Sequence, residues 1–257
     1  MQDNDSLDNK YIVVQKNDSI FHIPHTTGKI QNWYKLYYEN WENDTFQLMN
    51  QFTNKDKILF DIGSWVGLLS IPYSYHFSKV IAVEADCDAV ADFKKIIEAN
   101  QITNIEIVEK AVFHESDTIV YFGPSNFRTD LPNLNESTSH IKYDQIKNND
   151  YPVRTIRLLD VVSPYLSSVG FIKIDIEGGE GYLLDDVLHL LQLHIPVLIS
   201  FHFPWIENKS SVYNFSSSIQ KNNITCYNIN YSKLTTPLYD YIQLYQNHFT
   251  SVLIIKE

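Results

Sequence analysis

Two cysteines in 257 residues, Cys87 and Cys226, are too few and too far apart to build a disulfide framework, and they read as free thiols of a reducing compartment. Basic charge is also short: 20 Lys and Arg stand against 31 Asp and Glu, for a formal net charge of −11. That balance excludes the broad basic face that binding to nucleic acid requires. No apolar run approaches the ~20 residues of a membrane helix, so no membrane span is expected. The opening MQDNDSLDNK has neither a basic stretch nor an apolar one, so it carries no secretory signal and the expected location is cytoplasmic. There are no internal repeats and no low-complexity tract. What is present is apolar substance: 44% hydrophobic residues, enough for a sizeable core.

Tyr11–Val14 and Ser19–Ile23 read as a hairpin around Asn17-Asp18, and residues 33–53 carry aromatic and aliphatic side chains at helical spacing. From Lys57 an alternation begins. Strands are expected at Lys57–Ile62, Lys79–Glu84 and Asn104–Glu109, with helices at Val66–Tyr75 and Asp88–Asn100 between them. A polar, turn-rich loop over residues 123–151 interrupts it, carrying Arg128, His140 and Tyr143 as candidate acceptor or lid residues. The rhythm resumes with strands at Val153–Leu158, Gly170–Asp175 and Pro196–Phe201, and a helix at Glu180–Leu193. Strands alternating with helices imply crossovers and a parallel sheet. The expectation is an α/β fold, a doubly wound, mostly parallel seven-stranded sheet. Residues 1–55 would be a hairpin and helical extension packed on it, and residues 56–257 the nucleotide-binding domain proper.

The turn after the first of these strands is the first candidate site. An apolar strand ends in Asp61, and Gly63-Ser64-Trp65-Val66-Gly67 follows before a helix. Glycines let a chain turn tightly and come close to a ligand, here at the carboxyl end of a strand. The spacing is D-x-G-x-x-x-G, not the G-x-G-x-x-G that holds a pyrophosphate on helix-start amides. Asp61 would repel a pyrophosphate but suits the cationic methionine end of S-adenosylmethionine (SAM). The next strand ends in Glu84, 17 residues after Gly67, where a carboxylate can accept the hydroxyls of a ribose. The expected cofactor is therefore SAM.

The second candidate site is Lys173-Ile174-Asp175-Ile176-Glu177-Gly178-Gly179-Glu180, a strand that ends in carboxylates. Asp175 is the candidate general base, or the ligand of a divalent ion such as Mg or Mn that would acidify an acceptor hydroxyl. Glu177 is a second candidate ligand. Glu180 reads as a helix-dipole residue. His202, at the end of the following strand, would sit beside Asp175 as base, metal ligand or neutral hydrogen-bonding group. Trp205 offers a flat face for a sugar or for core packing.

These motifs, from about Trp41 to Trp205, resemble the FkbM family of SAM-dependent O-methyltransferases. KIDIEGGE is close to that family's K-I-D-V-E-G-A-E, Phe60–Ser70 to its glycine turn, Trp41-Glu42-Asn43-Asp44-Thr45 to its W-E-P-E-T, and His202 to the histidine of its E-I-H-P. Ala111 matches a small residue near the adenine, and Ser137–Ser139 a serine segment near the cofactor. The resemblance implies the class I methyltransferase form of the Rossmann-like sheet and O-methylation of a hydroxyl on a sugar or glycan. It places the cofactor among Glu42, Thr45, Asp61, Gly63, Ser64, Gly67, Glu84, Ala85, Ala111 and Asp175. Three departures stand out: Trp65 where Asn is usual, Ser64 for Ala, and Ser200 for the Glu of E-I-H-P. Two other readings remain: a methyltransferase-like domain that binds a glycan or partner without catalysis, and an NAD-dependent oxidoreductase, which lacks its third glycine here.

Overall fold

A computed structural model describes residues 10–123, 140–142, 150–245 and 248–257 of the chain. The N-terminal layer starts with a hairpin, β1 (Tyr11–Lys16) and β2 (Ser19–Pro24), turning at Asn17 with φ 53°, a left-handed value asparagine tolerates. Helices α1 (Lys29–Tyr37) and α2 (Asn43–Met49) follow. The alternating half then runs β3 (Ile58–Ile62), α3 (Ser70–Tyr73), β4 (Lys79–Glu84), α4 (Cys87–Ala99) and β5 (Ile105–Glu109). Next come four short strands, β6 (Ala111–Phe113), β7 (Ile119–Gly123), β8 (His140–Lys142) and β9 (Tyr151–Arg157), and helix α5 (Leu158–Val162). The chain closes with β10 (Val169–Ile174), α6 (Leu184–Gln192), β11 (Val197–Phe201), α7 (Lys209–Lys221), β12 (Thr225–Asn228), α8 (Leu238–Gln243) and β13 (Thr250–Ile255).

Seven strands form the central sheet in the order β12-β13-β11-β10-β3-β4-β5, with β13 antiparallel to both neighbours and the other pairings parallel. This is the expected Rossmann-like, doubly wound α/β sheet. The strand order runs one way from β3 through β4 to β5 and the other way from β10 to β11, so a crevice opens at the carboxyl ends of β3 and β10.

Side-chain alternation divides the core. Ile58, Phe60, Ile62, Ile172 and Ile174 join the layer of α5 to α8, whereas Leu59, Phe171, Leu198 and Leu253 join the hairpin and α1 to α4. Phe21 and Phe46, in the N-terminal layer, are almost wholly buried. Each such burial contributes roughly 2–3 kcal/mol, so the extension is fastened to the sheet.

Three expectations are corrected. The strand expected at Val153–Leu158 does not join the central sheet; β9 belongs to a four-stranded accessory sheet ordered β6-β9-β7-β8. Its sequence shows why. Val153 and Thr155 are buried while Pro152 and Arg154 are exposed, a one-sided pattern that a central strand covered on both faces does not have. The helix expected at Val66–Tyr75 is only Ser70–Tyr73, because Trp65 (φ 47°) and Gly67 (φ 82°) hold left-handed conformations that a helix cannot include. The Glu180–Leu193 helix likewise starts as a 3-10 turn at Gly179–Tyr182 before α6. Arg128, Tyr143 and Ser137–Ser139 lie outside the described residues, and His140 opens β8.

Candidate active site

The crevice at the carboxyl ends of β3, β4 and β10 holds a cavity of about 360 Å³. Glu42, Asp61, Gly63, Ser64, Glu84, Ala85, Ala111, Asp175, Glu177 and His202 all line it. Thr45 and Gly67 do not: Thr45 is buried within α2, and Gly67 packs under the ring of Phe93, where a Cβ would come within 2.2 Å.

The cofactor side starts at Asp61. Its Oδ2 accepts the Ser70 hydroxyl at 2.6 Å, and its Oδ1 is buried with no partner. Burial pushes this carboxyl above its ordinary range, against the pull of Lys173 and Ser70. Gly63 lines the cavity and also joins two strand ends. A Cβ there would fall 1.8 Å from the Asp175 carbonyl oxygen, so the missing side chain lets the two strand ends pack backbone on backbone. Trp65 donates its backbone N–H to Glu84 Oε2 at 2.6 Å, while Glu84 Oε1 accepts from Ala85 and Asp86, each at 2.8 Å. Burial outweighs these amides and pushes Glu84 up to about 7. The Ser64 hydroxyl and Trp65 Nε1 are buried without partners.

Glu42 reaches the same cavity from the N-terminal layer. It precedes α2 at φ 45°. Buried Lys16 fixes the loop: its Nζ donates to the Tyr38 carbonyl at 3.0 Å, the Trp41 carbonyl at 2.7 Å and Asn43 Oδ1 at 2.7 Å. Glu42 Oε2 is buried without a partner, and burial raises its carboxyl against the attraction of Lys173.

The other corner is a network of paired charges. Lys173 Nζ donates to Asp175 Oδ2 at 2.7 Å. Burial alone would discharge Lys173, but Asp175, Glu42 and Asp61 raise it above the ordinary lysine value. Burial likewise works to raise Asp175, yet Lys173 and His202 outweigh it and hold the carboxyl below its usual range. His202 Nδ1 donates to Glu180 Oε1 at 2.8 Å, and its Nε2 lies 3.6 Å from Asp175 Oδ1 and 3.5 Å from Glu177 Oε2. Burial disfavours its charge, but Glu180, Glu177 and Asp175 push the ring up to about 10. That upward shift favours the imidazolium, in which both ring nitrogens donate. Trp205 stacks on it, centroids 5.4 Å apart and planes 4° apart, and Phe249 packs at 5.3 Å and 27°. The Trp205 face thus serves the histidine.

Lys173, Glu180 and Phe249 belong to the site, and sequence reasoning gave none of them that place. A lysine inside a buried strand, between Ile172 and Ile174, was the available signal, since such a charge is buried only with partners. Glu180 does sit in the first helical turn and accepts the Ile176 and Gly178 N–H groups there, and in addition it is fully buried with its Oε1 hydrogen-bonded to His202.

Ligand atoms of Asp175, Glu177 and His202 lie within 4.8 Å of one another, which fits the donor set of a divalent ion. With Nδ1 tied to a carboxylate, His202 also has the orientation that metal-bound histidines take.

No protein-family model matches the chain, and no curated protein matches it. Among solved structures it is similar to the SMU.1697c methyltransferase of Streptococcus mutans in complex with SAH, at 13% identity over 83% of this chain and 98% of that one, TM-score 0.47. An rRNA methylase of Streptococcus thermophilus is similar at 10% identity, covering 82% and 92%, TM-score 0.47. Methyltransferase FkbM of Methylobacillus flagellatus KT is similar at 13% identity, covering 79% of this chain and 44% of that one, TM-score 0.41. At such scores the functional reading rests on the side chains of the site, and no helix of the described residues is long and apolar enough to cross a membrane.

Proposed function

We propose that the protein is a SAM-dependent O-methyltransferase acting on a hydroxyl of a sugar or glycan. The observation that carries this reading is one cavity with two kinds of carboxylate: unpartnered oxygens on Asp61 and Glu42, and a paired, ionised Asp175 beside them. SAM fits the first kind. Its ammonium and sulfonium are cations and its ribose offers hydroxyl donors, the groups that orphaned buried acceptors lack. Asp61 and Glu42 would hold the methionine end, Glu84 the ribose, and Ala85 and Ala111 the flank of the adenine. Ser64 Oγ and Trp65 Nε1 supply unpaired donors for a carboxylate.

When bound, SAM supplies an electrophilic methyl group. Asp175 would receive the acceptor's hydroxyl on Oδ1 while Lys173 holds Oδ2. The acceptor oxygen would form a bond to the methyl carbon as the carbon–sulfur bond breaks, with the neutral thioether SAH leaving, and the hydroxyl proton would pass to Asp175. A depressed carboxyl suffices for this, because a hydroxyl oxygen gaining a methyl group becomes strongly acidic before its proton leaves. His202, as imidazolium, would keep Asp175 and Glu177 ionised and in place. In place of the Nε2 proton, a divalent ion held by Asp175, Glu177 and His202 would acidify the hydroxyl.

Calorimetry with S-adenosylhomocysteine (SAH) and with NADH tests the cofactor assignment, and mass spectrometry of neutral glycosides incubated with labelled SAM tests the reaction. Heat with SAH and a labelled ether product are expected. Heat with NADH and none with SAH would overturn the reading.

A further inference from the structure

A second cavity, about 460 Å³, opens beside the first and shares two walls with it, Glu42 and Phe249. It lies at the carboxyl end of β11, because Thr250, next to Phe249, is the register partner of Phe201, next to His202. Phe249 is 40% exposed, and its ring faces that of His202 across 5.3 Å. One side of this ring therefore borders the reactive acids and the other borders the second cavity.

The lining of this cavity has a consistent chemistry. Asn40, Asn43, Asn228 and Asn230 bring amides, and Tyr241 and Tyr245 bring phenols whose hydroxyls lie 3.3 Å apart. Several of these groups are held in place. Asn43 Oδ1 accepts from Lys16 at 2.7 Å, and Asn228 Oδ1 accepts the backbone N–H groups of Asn230 and Ser232 at 3.1 and 3.0 Å. Among the described lining residues there is no lysine or arginine, and the charged ones, Glu42 and Asp44, are acidic. A phosphate backbone needs cations along its path, so this wall repels a nucleic acid. Amides and phenols suit alternating donors and acceptors, and aromatic faces suit the C–H face of a pyranose ring.

We propose that this second cavity is the acceptor subsite and that it takes a neutral oligosaccharide, whose chain lies along the Asn and Tyr wall while one hydroxyl passes Phe249 to reach Asp175. The inference rests on the methyltransferase reading and adds the acceptor's class and path. It favours an acceptor longer than one sugar, because the second cavity lies beyond the residue being methylated.

The test uses the full chain, labelled SAM, and matched probes: methyl glycosides of neutral hexoses and 6-deoxyhexoses, trisaccharides of the same sugars, and an oligoribonucleotide. Calorimetry with SAH is run on every variant. In the native protein, kcat/KM should be at least about tenfold higher for a trisaccharide than for its methyl glycoside. Tyr245→Ala and Asn230→Ala should remove that advantage, with SAH affinity unchanged and the methyl glycoside rate changed less than twofold. Asn230 sits on an exposed turn and gives the same readout should Tyr245→Ala fail to fold. Equal losses on both acceptors, no loss on either, SAH binding with no glycan methylated, or methylation of the oligoribonucleotide overturns the proposal. Absence of SAH binding in the native protein strikes the methyltransferase reading itself, a distinct result.

Discussion

Asp61 and Glu84, at the ends of β3 and β4, form no ion pair among the described residues, whereas Asp175, one strand away at the end of β10, is braced by Lys173 at 2.7 Å and faces His202 at 3.6 Å. Burial works to raise all three carboxyls, but only at Asp175 do neighbouring cations, Lys173 and His202, outweigh it. The first two are raised and the third is lowered. A raised acid with no ion-pair partner is a receptor: it gains most from a ligand that brings positive charge or hydroxyl donors. A lowered, paired acid is already compensated, so a ligand gains little by binding it, but it stays ionised and fixed in direction. The cavity thus has a binding side and a reacting side, and Lys173 joins them because it is the register partner of Asp61 as well as the partner of Asp175.

Removing the shared cation is the most severe way to break this contrast. Lys173→Met leaves Asp61, Glu42 and Asp175 without their buried counter-charge, which typically costs 3–5 kcal/mol. Urea unfolding should show a loss of that size, and a loss under ~1 kcal/mol would mean that the acids are hydrated rather than dependent on Lys173. Asp175→Asn tests the reacting side alone. Turnover should fall about a thousandfold, ~4 kcal/mol of barrier, while SAH affinity stays within about tenfold, ~1.4 kcal/mol. Equal losses in both would merge the two sides into one.

The binding side was the more legible of the two in the sequence. Asp61, Gly63 and Glu84 follow from an apolar strand, a glycine turn and a second strand, all local signals. The meeting of Asp175 with His202 was also legible, because both residues lie just beyond adjacent parallel strands whose register pairs Ile174 with Ile199. What compensates the reacting side was not. Lys173 is charged partly through Glu42, which arrives from the N-terminal layer on a loop fixed by Lys16, and no periodicity connects those positions. Glu180 was assigned to a helix dipole because a carboxylate in a first turn has that local use, and only tertiary packing turns it onto His202. The accessory sheet was hidden for a related reason. The alternation of Val153, Arg154 and Thr155 specifies a strand with one wet face but not the sheet it joins.

Glu84 gives the next prediction in size. Its folded carboxyl is pushed up to about 7, above the ordinary glutamate value, so between those pH values the folded chain holds a proton that the unfolded chain has released. Stability from this group is full below the unfolded value and is lost as pH rises through about 7, by up to ~3 kcal/mol. Glu84→Gln has no such proton. Its stability relative to the native protein should rise between pH 5 and pH 8 in urea titrations. A flat difference would show that the three backbone amides keep Glu84 ionised, which would place it with Asp175 in the contrast.

The smallest effect expected comes from chelation. Asp175, Glu177 and His202 can gather a divalent ion once His202 gives up its Nε2 proton, yet without an ion two cations, Lys173 and protonated His202, balance much of the negative charge there. An ion would replace a charge the corner supplies for itself, so its removal should slow methyl transfer only a few-fold, less than ~1.4 kcal/mol. Exhaustive EDTA treatment followed by added Mg or Mn measures this. Full activity after chelation would leave the reacting side complete without a metal. A loss near that of Asp175→Asn would make the ion, rather than the Lys173 pair, the feature that sets this side apart from the binding side.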